Sequence, residues 1–115
     1  MIVGDLVKWI LVNRRGRAFK DWSEEKIVQV VVEAIRTGSI IYAADGTGFT
    51  GVFIFIKHPT EKVAETGPLL TTTREALKQM AKYFYEQYPD WKLLIHDRKG
   101  GFSQIDDRKF IRLSL

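Results

Sequence analysis

The chain contains no cysteine and only two histidines. Without cysteine it cannot form a disulfide or a thiolate metal site, and a reducing compartment suits it. His58 and His96 are isolated from each other in the sequence, so a catalytic zinc site is not expected. No metal is therefore predicted for this protein.

A long uninterrupted apolar run is also lacking. Apolar residues dominate residues 1–12, but Asp5 and Lys8 interrupt them. The stretch is too short to span a bilayer and has no signal-peptide layout. We predict a cytoplasmic protein, or one carried in an assembly that is made in the cytosol.

Length and composition are those of one ordinary globular unit. The 115 residues are 45% hydrophobic and 28% charged, and a chain of this length leaves little room for a second core. A single domain over residues 1–115 is the expectation. The sequence of residues 1–115 contains no internal repeat and no low-complexity linker.

Positive charge is concentrated at the two ends of the chain. The formal net charge is +4, with +3 in residues 1–22, −2 in residues 23–91 and +3 in residues 92–115. Such an asymmetric distribution of charge can mark a surface for an anionic partner. Basic side chains hold phosphates, and aromatic side chains beside them stack on bases. The candidate patch consists of Arg14, Arg15, Arg17, Lys20, Arg98, Lys99, Arg108 and Lys109. The alternative, which we favour at this modest excess, is that these side chains only keep the protein in solution.

Three helices are predicted. Val3, Leu6, Val7 and Ile10 recur at helical spacing in residues 2–12. Ser23 is a good N-cap for a second helix that ends at Thr37-Gly38, although its run of β-branched residues resembles a strand.

The third helix is predicted in "REALKQMAKYFYEQY". Thr72 with Glu75 fits the capping box at its start, and Leu77, Met80, Ala81 and Phe84 are expected on its buried face.

Strands are predicted at residues 39–44, 49–57, 62–67 and 91–96. Asp45-Gly46 is a strong hairpin signal, with a loop of two or four residues. "GVFIFI" is apolar on both faces, which predicts a central strand covered on both sides. "FSQI" pairs with the sheet or leaves it, and the tail after Asp106 is a helix or a strand.

The resulting order is α-α-β-β-β-α-β followed by a short C-terminal element. The fold class is therefore α/β (α+β), with a mixed, mostly antiparallel central sheet that has helices on both faces.

This arrangement resembles the GNAT acyltransferase superfamily, whose domains have two helices, a three-strand meander, a helix and a diverging strand. The matching segments are "SEEKIVQVVVEAIRTG", "SIIYAADGTGFTGVFIFI", "KVAETG", "TTTREALKQMAKYFYEQY" and "KLLIHD". They lie within roughly residues 2–97. The resemblance implies acetyl-CoA as the cofactor, with its pyrophosphate at the start of the third helix.

Carried onto this chain, the resemblance places the pyrophosphate at Thr71, Thr72, Thr73 and Arg74 and makes Glu65 the candidate base. The family's loop of the type Gln/Arg-x-x-Gly-x-Gly/Ala is replaced here by "GPLLTTTREA". The tyrosine acid that follows a fourth helix in the family has no room in this chain, and Tyr85 on the third helix is the displaced candidate. The plain alternative is that Thr72 only caps its helix and that Tyr85 only packs.

These departures favour a non-catalytic or degenerate module that serves as a basic interaction or assembly component with a protein partner. The resemblance extends to small bacteriophage-encoded chains that lack the cofactor loop, which implies a location in the virion. The alternatives are a CoA-dependent N-acyltransferase and a nucleic-acid-binding protein. A membrane-surface role is disfavoured, because a domain this small needs the apolar face of residues 2–12 for its own core.

Overall fold

The computed structural model describes residues 2–14, 18–96 and 102–105, with side chains for residues 3–14 and 18–94. Three helices and five strands lie in these ranges. They are α1 (Ile2–Asn13), α2 (Glu24–Arg36), β1 (Ile40–Asp45), β2 (Gly48–His58), β3 (Val63–Thr71), α3 (Arg74–Gln87), β4 (Lys92–His96) and β5 (Phe102–Ile105). The predicted order of elements and the α+β class are confirmed.

The five strands form one mixed sheet in the order β1-β2-β3-β4-β5. Neighbouring strands are antiparallel except for β3 and β4, which run parallel with α3 as their crossover. The segment "FSQI" pairs with β4 as an edge strand, which settles that open question in favour of the sheet. The tail after Asp106 lies outside the described residues.

Each face of the sheet carries its own core, as predicted. The α3 face, named after the helix that covers it, buries Phe53 and Phe55 of β2 under Met80 and Phe84. The α1/α2 face buries Val52 and Ile54 of the same strand, together with Leu6, Val7, Ile10, Ile27, Val31, Ala34 and Leu70. The strand β2 is thus apolar on both sides because helices lie against both sides.

Helix α1 uses its apolar face for the core. Leu6, Val7 and Ile10 are at most 2% exposed, and the Trp9 ring lies 6.5 Å from the Phe49 ring. An apolar face in this position is not available to a bilayer surface. Among the described residues, no helix has the length and apolar character needed to cross a membrane.

The ends of α2 match their sequence signals. The Ser23 hydroxyl accepts a hydrogen bond from the Lys26 N–H at 3.1 Å, which satisfies one of the donors that a helix start leaves unpaired. At the other end the Thr37 N–H donates to Glu33 O, and Gly38 has φ +67°. A left-handed residue of this kind ends a helix at little cost when it is glycine.

The β1–β2 hairpin has the shorter of the two predicted loops. Asp45 pairs with Gly48, so the loop is Gly46-Thr47. The Asp45 carboxylate accepts hydrogen bonds from the Thr47 hydroxyl at 2.6 Å and from the Thr47 N–H at 2.8 Å. These two bonds lower the pKa of Asp45, the hydroxyl contributing most.

Two details of the sequence prediction are wrong. Thr73, rather than Thr72, caps α3, and its hydroxyl accepts from the Ala76 N–H at 3.0 Å. Thr72 does not act as the cap, because its own N–H and hydroxyl both donate to Thr50 O on β2. The second error concerns Ile56, which is 56% exposed because the cover of the α1/α2 face ends before it.

The β3 strand is also longer than predicted. It continues to Thr71, four residues past the expected end, and includes Pro68. A proline is compatible with this position because β4 does not pair with that part of β3. The residues expected on the buried face of α3 lie there, with Leu77 only partly buried and Ala76 fully buried instead.

Candidate functional site

The parallel β3–β4 ladder is short and ends inside the sheet. It consists of the pairs Val63–Lys92, Ala64–Leu93 and Glu65–Leu94. The Thr66 hydroxyl then donates to Leu94 O at 2.6 Å, and from residue 67 onward β3 has no described partner on that side.

A β-bulge lies where the ladder ends. Between the pairs formed by Phe53 and Phe55 of β2, β3 contains one residue more than β2. Gly67 lies in this bulge, and a Cβ atom at its position would be 2.9 Å from Ile54 O. The close approach explains the glycine, since a bulge brings one backbone against the next.

A cavity adjoins the bulge on the α1/α2 face. Its volume is about 330 Å³, and its lining is Ala18, Phe19, Trp22, Gly67, Pro68 and Leu69. The α1–α2 loop forms one wall, where the rings of Phe19 and Trp22 meet edge to face with centroids 5.3 Å apart. The opposite wall is the unpaired stretch of β3. None of the described lining residues has an ionisable side chain, so this part of the cavity suits an uncharged or apolar group.

Glu65, the candidate base, lies on the α1/α2 face. It alternates with Ala64, which is buried on the α3 face, and it is the register partner of Ile56. Its carboxylate is 3.0 Å from His58 Nε2, with side-chain exposures of 29% for Glu65 and 44% for His58. A hydrogen bond with the imidazole orients the carboxylate at the open end of the sheet.

Sequence reasoning missed His58 as a partner of Glu65, because it weighed this histidine as a possible zinc ligand and not as a neighbour of that carboxylate. The signal that could have found it is the register of the β2–β3 hairpin. With the turn at residues 59–62, His58 faces Val63 and Ile56 faces Glu65, so His58 and Glu65 are diagonal neighbours on one face.

Tyr85, the candidate acid, lies on the other side of the sheet. It packs against the core of the α3 face, with its ring 5.1 Å from the Phe84 ring in an edge-to-face contact. The sheet therefore separates Tyr85 from Glu65. The structure does not bring the candidate acid and the candidate base together.

The start of α3 is the candidate phosphate site. Thr71 is the last residue of β3, Thr72 is bound to Thr50 O through both its N–H and its hydroxyl, and Thr73 caps the helix. Arg74 is an exposed first helical residue with a cation to offer. Glu75 follows it in the first turn and places a negative charge at the same helix end.

The residues at this helix start do not fit a pyrophosphate well. Phosphate binding at a helix start needs free N–H donors and a backbone that can approach closely. Here the Ala76 N–H is already taken by Thr73, the Thr72 hydroxyl is committed to β2, and no glycine lies between Thr71 and Arg74. Glu65 also lies about 20 Å from Thr71 along the extended strand.

The basic patch predicted from the sequence is described only in part. The Arg14 guanidinium donates to Phe19 O at 3.3 Å and to Trp22 O at 2.8 Å, so it holds the α1–α2 loop in place. Lys20 is exposed on that loop. The remaining members lie outside the described residues: Arg15, Arg17, Arg98, Lys99, Arg108 and Lys109.

A larger groove was not predicted. It lies between α2 and the end of β2, has a volume of about 560 Å³, and is lined mainly by apolar side chains that include Val30, Ile54 and Ile56. Two charged lining residues already have partners within the chain. Lys57 donates to Thr37 O at 2.8 Å, and Glu33 forms an ion pair with Arg36.

In the part of the chain that the structure describes, no group of three or more acidic or histidine side chains could hold a metal ion. No protein-family model, curated protein or solved structure matches this chain. Its function must therefore be argued from its own residues.

Proposed function

We propose that this protein is a non-catalytic interaction module on an acyltransferase-like scaffold, and that it assembles with a protein partner. The observation that carries the proposal is the start of α3. Thr72 and Thr73, which the resemblance places against a phosphate, are used for folding instead: one ties the helix start to β2 and the other caps the helix. A module that had kept the cofactor would need these groups free.

The separation of Glu65 and Tyr85 supports the same proposal. General acid–base catalysis requires both groups within hydrogen-bond reach of one reacting centre, directly or through one water. Side chains on opposite faces of a closed part of the sheet do not meet this requirement.

Exposed apolar side chains support a protein partner. The α2–β2 groove is lined mainly by apolar groups and ends at Ile56, which is 56% exposed. Other large apolar side chains that are at least 37% exposed are Val12, Val28, Val32, Ile35, Tyr42 and Tyr83. Apolar surface in grooves and patches is typical of protein-binding sites, whereas nucleic-acid sites are rich in free cations.

A second candidate function is CoA-dependent N-acyl transfer. The end of the β3–β4 ladder favours it, because the stretch from Gly67 to Leu69, which has no described partner on the β4 side, adjoins a cavity that could take an acyl group. Glu65, oriented by His58, would be the base in that case. Among the described residues no comparable observation favours nucleic-acid binding, since Arg14 is committed to the α1–α2 loop.

Thermal unfolding with increasing acetyl-CoA separates the two candidates. A ligand at 100 times its Kd stabilises the folded state by about 2.7 kcal/mol, which raises Tm by roughly 10 °C for a protein of this size. We expect no rise. A rise that Arg74→Gln reduces and Lys20→Gln leaves unchanged would contradict the proposal and establish the acyltransferase candidate.

The protein-partner half of the proposal needs its own test. Ile56→Asp places a charge in the α2–β2 groove, whereas Val12→Asp changes a residue on α1 that is 82% exposed and does not line the groove. We expect immobilised wild type and Val12→Asp to retain the same protein from the native host's extract, and Ile56→Asp to lose it. Retention by all three would contradict this use of the groove.

The cytoplasmic and virion locations stay predictions.

A further inference from the structure

The strand β1 is an edge of the sheet, and some of its backbone groups point away from β2. The Phe55 N–H donates to Ser39 O, which marks Ser39 and Phe55 as opposite one another. In an antiparallel pair such contacts recur at every second residue, so Ile41 and Ala43 direct their N–H and C=O groups to β2. Ile40 and Tyr42 therefore direct theirs to the open edge.

This edge lacks the devices that usually prevent strand addition. Natural edge strands carry lysine, proline or a bulge. Residues 38–44 contain no charged residue and no proline, and the bulge in the β1–β2 pair is on β2, at Thr50. An extended backbone can therefore be added beside β1 without a charge or a bulge in the way.

An apolar groove accompanies the edge on the α1/α2 face. It has a volume of about 300 Å³ and is lined by Val3, Leu6, Ile35, Gly38, Ile40 and Tyr42. Ile35 is 46% exposed and Tyr42 is 49% exposed. In strand addition, backbone hydrogen bonds supply affinity, and pockets for alternate side chains supply specificity.

We propose that two copies of this chain associate through β1, antiparallel, with Tyr42 opposite Tyr42 of the second copy. In this register the two tyrosines exchange two backbone hydrogen bonds, because both direct their N–H and C=O groups outward. Side chains on one face of an extended sheet stay on that face. Tyr42 of the second copy thus enters the groove beside Ile35 and Ile40.

Charge along β1 favours a second copy in this direction. Asp45 ends the strand, while the Lys57 ammonium lies near its start, bound to Thr37 O and next to Gly38. Antiparallel pairing puts Asp45 of one copy opposite Ser39 of the other, one residue from Gly38 and its neighbouring cation. The two Asp45 carboxylates remain about 20 Å apart. A parallel arrangement would bring like charges together.

This inference goes beyond the proposed function. Pairing through β1 is compatible with an interaction module and with an acyltransferase. It does not use the start of α3, and of the α2–β2 groove it approaches only Ser39 and Lys57, not Ile56, on which the test of that groove depends. The failure of one idea therefore leaves the other standing.

The test is sedimentation velocity over a series of concentrations, with four forms of the full chain. Tyr42→Pro removes an N–H that points outward and leaves the β1–β2 ladder intact, whereas Tyr42→Ala removes only the side chain. Tyr83→Ala is the matched control, since Tyr83 on α3 is 50% exposed. We expect wild type and Tyr83→Ala to dimerise equally, Tyr42→Ala to dimerise on the order of tenfold more weakly, and Tyr42→Pro to stay monomeric.

Amide hydrogen exchange of the wild type provides a readout that does not depend on how the proline variant folds. Protection of the Ile40 and Tyr42 amides should increase with protein concentration. A monomeric wild type at all concentrations, or a folded Tyr42→Pro that still dimerises, would overturn the proposal. So would protection that is independent of concentration, because the chain itself would then cover the edge.

Discussion

Gly67→Ala is the substitution that tests the bulge most directly. The added Cβ would lie 2.9 Å from Ile54 O, which is closer than real Cβ atoms come to a neighbouring atom. The clash is with the backbone of the central strand, which cannot move without shifting Phe53 and Phe55 in the core. Gly67 does not have a positive φ, so the cost is steric and not conformational.

Two other glycines calibrate the size of the effect. A Cβ at Gly51 would meet Met80 Cε at 2.9 Å, which is the far end of a flexible side chain, and Ala76 Cβ at 3.1 Å and Thr71 Cγ2 at 3.3 Å, which need move by only a few tenths of an ångström. A Cβ at Gly46 would meet nothing within 4 Å. Overpacking against a rigid neighbour costs about 1–3 kcal/mol, so we expect Gly67→Ala to lose that much and Gly51→Ala to lose less. Gly46→Ala should be neutral or stabilising by up to about 1 kcal/mol.

The assay is urea unfolding of all four forms at one protein concentration, with the midpoint and the slope fitted together. In a parallel thermal unfolding experiment, a loss of about 2 kcal/mol would lower Tm by roughly 8 °C. The slope should be the same for all four forms, since a single glycine-to-alanine change barely alters the surface that becomes exposed on unfolding. If Gly67→Ala is as stable as Gly46→Ala, the close approach of β3 to Ile54 is not present and the bulge is misplaced.

Two further substitutions test local features. Thr73→Ala removes the α3 cap and should lower the free energy of unfolding by about 1 kcal/mol. Thr73→Ser, which keeps a hydroxyl, should retain most of that stabilisation. If Thr73→Ala unfolds at the same temperature as wild type, the cap does not contribute. The pKa of Asp45 is lowered in the folded state, so its charge stabilises the fold at pH values above the ordinary aspartate pKa. This contribution is lost as the pH falls through the folded-state pKa. Asp45→Asn should therefore be less stable than wild type near neutral pH, and the difference in stability should narrow as the pH falls below the ordinary aspartate pKa. A difference that does not narrow on acidification would exclude the charge as the cause.

The helices were predictable because their signals are local. In α2, a run of β-branched residues favours a strand, yet Ser23 at one end and Thr37-Gly38 at the other indicate a helix, and the structure confirms both ends. Capping groups act on the nearest turn, so they can be found without knowing what the helix packs against.

The start of α3 could not be predicted to the residue for the opposite reason. By sequence Thr72 is the better cap, because Glu75 completes its capping box, and its displacement by Thr73 depends on Thr50, 22 residues before Thr72 in the chain. That carbonyl lies at a bulge in β2, and a bulge depends on how two strands pair. The exposure of Ile56 has a similar origin, because it depends on where the helices stop covering the sheet.

The candidate site was predictable in its parts and not in its assembly. Glu65 was chosen as a candidate from its place on the third strand, and its side chain is 29% exposed. Its separation from Tyr85 follows from the crossover between β3 and β4. A helix that connects two adjacent parallel strands lies on one face of the sheet. Here α3 covers the face opposite to the one that carries Glu65.

The same geometry limits where any chemistry could occur. A closed ladder excludes contact between the two faces of a sheet, and here the β3–β4 ladder is closed through Glu65 and Leu94. Within the described residues, a molecule that reached both faces would have to pass β3 beyond Thr66, beside Gly67 and Pro68. That place adjoins the cavity under Phe19 and Trp22. Ligand-induced shifts confined to the Gly67 and Leu69 amides would therefore indicate a binding site through the sheet, whereas shifts at Ile56 would indicate the α2–β2 groove and a partner on one face.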